Sequence, residues 1–179
     1  MTTHRSHHAL SVVARLVLFT ACASLPFTSL AAGSIAIAKQ APYAQQLSVP
    51  DAVRAECNLP VRVTEFVKEY ADKSHDKVVL ADNVSASTPG QALSMKIVGL
   101  TGTGGGAWSG PKHVTVEGTL WENGKVKGTF TATRYSGGGA FGGYKGTCAI
   151  LGRCVKAIGK DVSEWLLAPK MNAKLGDAK

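Results

Sequence analysis

The stretch Lys112–Tyr135, KHVTVEGTLWENGKVKGTFTATRY, decides the fold. Val114, Val116 and Leu120 alternate with polar residues in its first half, as do Val126, Phe130 and Ala132 in its second. Alternation of this length marks two half-buried strands, and Asn123-Gly124 between them marks a hairpin turn. A two-residue Asn123-Gly124 loop pairs Leu120 with Lys127 and sets the apolar residues of the two strands on opposite faces. Side chains alternate with a period of two, so a slip of one residue inverts a whole strand. A three-residue loop, Glu122-Asn123-Gly124, with Gly124 left-handed in a bulge, removes that conflict. It pairs Leu120 with Val126, Val116 with Phe130 and Val114 with Ala132, and it is the register the pattern favours. One face of the hairpin is then apolar. The other is threonine and charge.

Working outward toward the N-terminus, Leu93–Leu100 reads as a strand with Leu93, Met95 and Ile97 on one face. Val78-Val79-Leu80 reads as a shorter one, separated from it by the loop 83–91. Val63, Phe66, Val67, Tyr70 and Ala71 fall at helical spacing, with Asn58 and Pro60 as start signals. Beyond the hairpin, a helix from Cys148 to Leu166 places Ile150, Leu151, Val155, Ile158, Val162, Trp165 and Leu166 on one side. Thr147 is its expected cap, and Pro169 ends it. These elements predict an α+β fold, an antiparallel four- or five-stranded up-and-down meander with two helices packed on one face. The domain spans 57–168. Residues 33–56, with Pro42 and Pro50, read as irregular except for a possible edge strand at Gln45–Val49, and 169–179 as a frayed tail.

The chain opens with Arg5 and Arg15, an apolar core Leu16–Leu25, and small residues around Ala31-Ala32. That order is a secretory signal peptide over residues 1–32, expected to be cleaved. Two alternatives stand beside it. The uncharged stretch continues to Ala38, which suits a retained anchor, and Cys22 behind Phe19-Thr20-Ala21 is a weak lipid-attachment signal. The chain has 20 Lys and Arg against 12 Asp and Glu. Loss of the leader removes Arg5 and Arg15 alone, leaving 18 basic and 12 acidic residues. The excess sits after Lys125, with Arg153, Lys156 and Lys160 in one stripe on the last helix. Such a stripe is ordinarily a solvated face. Its functional reading is attraction to an anionic envelope component or another envelope protein. Export argues against nucleic acid as partner, and cleavage leaves no membrane span.

Three cysteines remain after the leader: Cys57, Cys148 and Cys154. An oxidising compartment favours a bridge. Cys148 and Cys154 on one helix stand about 9 Å apart along its axis, beyond disulfide reach. Cys57 therefore pairs with one of them. Cys148 is expected, because it and Cys57 both stand at helix starts, leaving Cys154 a reduced, buried thiol.

The segment GTCAILGRCVKAIGKDVSEWL, with Gly146-Thr147-Cys148, Gly159-Lys160-Asp161, Trp165-Leu166 and the glycine run Gly137–Gly143, resembles a family of small exported proteobacterial proteins with no assigned activity. The resemblance covers the chain after Cys57. It implies a periplasmic or envelope location and brings no catalytic residue with it.

Gly102–Ala107 and Gly137–Gly142 both fit the dinucleotide-binding glycine spacing, but neither lies between a parallel strand and its helix, so both read as loops and no cofactor is expected. No Cys/His spacing suits zinc, and no metal is expected. Asp161 and Glu164 read as a solvated helix edge. His75 and His113 are the histidines left after the leader. A small periplasmic hydrolase built on His113 and nearby hydroxyls is the alternative to a non-catalytic binding or accessory module, but no nucleophile context supports it. In a meander, successive connections alternate between sheet ends. The loops Thr101–Pro111 and Ser136–Gly143 then share the end opposite the Asn123 turn. That end is the expected binding surface, made of Trp108, Tyr135, Phe141 and Tyr144 with Arg134 and Lys145.

Overall fold

The computed structural model describes residues 1, 33–74, 77–103, 108, 110–137, 139 and 144–179. Residues 2–32 of the leader, Cys22 among them, together with His75 and Phe141, therefore lie outside the described residues. The elements are β1 (Ser34–Ala38), α1 (Asp51–Glu56), α2 (Leu59–Ser74), β2 (Lys77–Ala81), β3 (Gln91–Thr101), β4 (Lys112–Glu122), β5 (Lys125–Ser136), α3 (Thr147–Leu167) and β6 (Ala173–Gly176).

The fold is α+β, as the pattern indicated, but the sheet is not a meander. It has six strands in the order β2-β1-β3-β4-β5-β6. The central pairs β3–β4 and β4–β5 are antiparallel. At the edges, β1 runs parallel to both β2 and β3, and β6 runs parallel to β5. Parallel neighbours need a long crossover, which here carries the helices: α1 and α2 between β1 and β2, and α3 between β5 and β6.

Both edge regions correct the expected layout. Residues 33–56 contribute β1, with Ile35, Ala36 and Ile37 buried in the sheet interior, and the short helix α1. A continuous apolar run is the mark of a strand covered on both sides. Here it merges with the leader's uncharged stretch and gives no alternation to read. Gln45–Val49 forms no strand; the chain instead holds β3 through Ile97 N–H to Pro42 O and Ala44 N–H to Ile97 O. The tail forms β6, paired from Phe130↔Ala173 to Thr133↔Gly176.

The hairpin register also differs from expectation. Asn123 (φ 50°) and Gly124 (φ 83°) are both left-handed, so the loop has two residues, in the turn type that matches strand twist. Glu122 pairs with Lys125 and Trp121 with Val126. The ladder then shifts, so that Leu120 faces Gly128, Gly118 faces Phe130, Val116 faces Ala132 and Val114 faces Arg134. The extra residue is Lys127. A bulge one step into β5 thus resolves the conflict that a longer turn was expected to resolve. Val114, Val116, Leu120, Phe130 and Ala132 share the core, as expected, but Val126 is 49% exposed.

Helices α2 and α3 cover one sheet face. Val63, Val67 and Ala71 of α2 join Leu151, Val155, Ile158 and Val162 of α3 in a core with Ile37, Leu93, Ile97, Val116 and Leu120. The two helices meet at Gly159, where a Cβ would stand 2.5 Å from Phe66 Cβ and 3.0 Å from the Val67 nitrogen. Glycine there permits the close crossing.

Candidate functional site

The pairs Thr101↔His113 and Lys112↔Ser136 bring the end of β3, the start of β4 and the end of β5 level with one another. The Asn123 turn lies at the opposite end, where its N–H bonds to Gly90 O at 2.9 Å. The connections bearing Trp108 and Tyr144 therefore leave the sheet at one end. The Thr147 hydroxyl donates to Thr103 O across 3.1 Å, tying the second connection to the first. This bond replaces the expected cap: the residue before α3 is Gly146, and no side chain caps the helix.

Of the expected binding residues, three aromatics reach the surface here. Trp108 is 86%, Tyr144 91% and Tyr135 58% exposed. Tyr135 packs on His113 with ring centroids 5.1 Å apart, both on the face away from the helices. Burial holds the His113 pKa below its ordinary value. Among the described residues, no carboxylate hydrogen-bonds to His113. Lys145 is half-buried beside Tyr144. Phe141 lies outside the described residues.

Arg134 belongs elsewhere. Its position opposite Val114 turns it to the helix side, where Nε and Nη2 donate to the two carboxylate oxygens of Asp161 at 2.7 and 2.6 Å. Asp177 lies 3.7 Å from its Nη1. These carboxylates, Asp161 foremost, hold the guanidinium pKa above its usual value. Asp161, expected at a solvated helix edge, is thus the α3 half of a bidentate ion pair.

Cys57 and Cys148 are bridged with Cα atoms 4.9 Å apart, as the helix-start argument required. Cys154 is reduced and buried. Its Sγ lies 3.7 Å from Lys112 O, and burial pushes the thiol up to about 11.

A groove lies apart from the loop end. The helix-free sheet face carries a groove of 780 Å³ running past Ser94, Lys96, Glu117, Thr119, Thr129 and Thr131. Lys96 and Glu117 pair across its floor at 3.4 Å. The threonine-rich hairpin face was its visible signal. The walls, Gln40, Pro42, Asp82–Val84 and Asn172, come from stretches without a periodic pattern. Among the described residues no group of three or more His, Cys, Asp or Glu is placed to hold a metal ion, and no helix is long and apolar enough to cross a membrane.

No family model matches the chain, and no curated protein matches it. Among solved structures it is similar in outline to the PelC dodecamer from Paraburkholderia phytofirmans, at 16% identity and TM-score 0.45, over 72% of this chain and 87% of that one. A variant of that protein gives TM-score 0.46 over the same spans. A Xanthomonas campestris protein of the family model DUF330 gives 12% identity and TM-score 0.45, over 76% of this chain and 84% of that one. Likeness at this level describes the outline of the fold and nothing further.

Proposed function

We propose that this chain is an exported periplasmic or envelope module that binds a ligand or partner without converting it. The observation that carries the reading is the shared exposure of Trp108, Tyr135 and Tyr144 at one sheet end, fixed there by the level ends of β3, β4 and β5. Exposed apolar side chains grouped on one part of a surface mark an interaction site. Aromatic faces beside cations suit a flat or anionic ligand. Export is supported by the leader-like N-terminus and by the Cys57–Cys148 bridge, since disulfides persist in oxidising compartments.

The test is an amide titration with vesicles containing phosphatidylglycerol, the anionic envelope component chosen as probe. Signals of Thr103, Trp108, Tyr135 and Tyr144 are expected to attenuate before that of Asn123, and Trp108→Ala with Tyr144→Ala to weaken binding. If the Asn123 signal attenuates first, or those along Arg153–Lys160 do, the loop end is not the binding surface. Loss of an enzymatic turnover in His113→Ala, with binding intact, would favour the hydrolase reading instead.

A further inference from the structure

One of the two edge strands of the sheet is β2, KVVLA, a short β-prone strand with Val79 38% exposed. An edge of this kind is a template for another strand, because alternate N–H and C=O groups point outward without ladder partners. In β2 those outward groups belong to Val78 and Leu80. Ala81 points the other way, since its carbonyl accepts from Lys39 N–H at 2.8 Å, and directions alternate along a strand.

Val78 is already occupied. Its N–H donates to Asp72 Oδ1 at 3.0 Å, and its carbonyl accepts from Lys68 Nζ at 2.8 Å. Asp72 Oδ2 and Lys68 Nζ in turn pair at 2.6 Å. Both side chains project from one turn of α2, at i and i+4. The acceptor and donor they present to Val78 are the two groups that a residue of an adjoining antiparallel strand would present.

We infer that the Lys68–Asp72 pair is an edge block that keeps β2 of a second copy from adding to this sheet. The geometry of the blocked contact follows from the outward residues. A two-fold antiparallel pairing centred on Val79 sets Val78 of each copy against Leu80 of the other. All four backbone hydrogen bonds of that contact use Val78 or its Leu80 partner. It also sets the two exposed Val79 side chains together and leaves Lys77 facing Ala81, so no like charges meet. The contact is isologous and closes at two copies. Occupying Val78 alone therefore disables it.

Two measurements test this. In the parent protein, the Val78 amide is expected to exchange with solvent about five- to tenfold more slowly than the Leu80 amide, the worth of one hydrogen bond. In Lys68→Ala/Asp72→Ala, light scattering of the disulfide-intact chain is expected to show twice the parent mass. Adding Val79→Lys should return the parent mass by placing two cations at the two-fold axis. Alanine favours helix at both positions, so α2 itself is not weakened. A folded double variant of parent mass overturns the inference. So does a doubled mass that Val79→Lys leaves unchanged. If the double variant does not fold, the exchange comparison decides: a Val78 amide as fast as Leu80 shows that no block exists.

Discussion

Arg134 shows how a single residue's role depends on what its strand faces. Beside the aromatics in sequence, it reads as a ligand-binding cation. Alternation along β5 puts it on the helix side with Phe130 and Ala132, where it joins β5 to α3 and to the C-terminal segment through Asp161 and Asp177. The Asp161 side chain is only 11% exposed, so removing the guanidinium strands a carboxylate. Arg134→Met is expected to cost about 1.5–3 kcal/mol, the usual range for hydrogen bonds to charged groups. Urea unfolding checks it, and a ligand-binding role without a structural one would leave the midpoint in place. Cys154 makes a prediction in pH. Its thiol ordinarily ionises near 9.0 and is raised to about 11 by burial. The folded state therefore retains the proton longer than the unfolded chain. That contribution to stability is complete below pH 9 and falls away between about 9 and about 11. At pH 8 the native protein should react with a thiol reagent only as fast as it unfolds. Prompt labelling without unfolding would refute the buried, neutral thiol.

At the scale of elements, the hairpin shows that the apolar pattern and the turn signal can both hold when the strand absorbs the mismatch. Asn123-Gly124 keeps its preferred two-residue turn, Lys127 bulges, and the apolar faces of β4 and β5 still coincide. The pattern carried the faces, but not where the extra residue would go, because a bulge costs little and leaves no composition mark. The shifted register explains Gly118. Phe130 lies directly over it and meets Trp165 of α3 edge-on, with centroids 4.9 Å apart. A Cβ at this position would overlap the Phe130 ring. Gly118→Ala should therefore destabilise by about 1–3 kcal/mol, as overpacking does. The register expected from the sequence places Phe130 opposite Val116, where this substitution would meet no ring. An unchanged thermal midpoint would thus reinstate it.

For the whole molecule, the C-terminal segment carries the clearest consequence. It reads as frayed, with Pro169 ending α3 and no run of apolar residues behind it. In the structure, β6 lies along β5, Trp165 Nε1 donates to Lys170 O, and Tyr135 N–H donates to Asp177 Oδ2 at 3.0 Å. Deleting residues 170–179 is expected to lower stability by about 2–4 kcal/mol, a few hydrogen bonds at roughly 1 kcal/mol each. A deletion without effect on the urea midpoint would make this segment dispensable. By itself, the sequence determined α2, α3 and the strands β2 to β5, the apolar faces of the hairpin except at Val126, and the Cys57–Cys148 pairing. It also placed the loops carrying Trp108 and Tyr144 opposite the Asn123 turn. Each of these rests on local periodicity, turn chemistry or reach along the chain. Only the tertiary structure decided that Ser34–Ala38 and Ala173–Gly176 join the sheet in parallel and that Arg134 faces Asp161. It alone showed Lys68 and Asp72 occupying the edge of β2. The parallel pairings and the Arg134 contact depend on partners distant in sequence, and the Lys68–Asp72 contact on how α2 lies against β2; short strands held by such partners carry no periodic signal of their own.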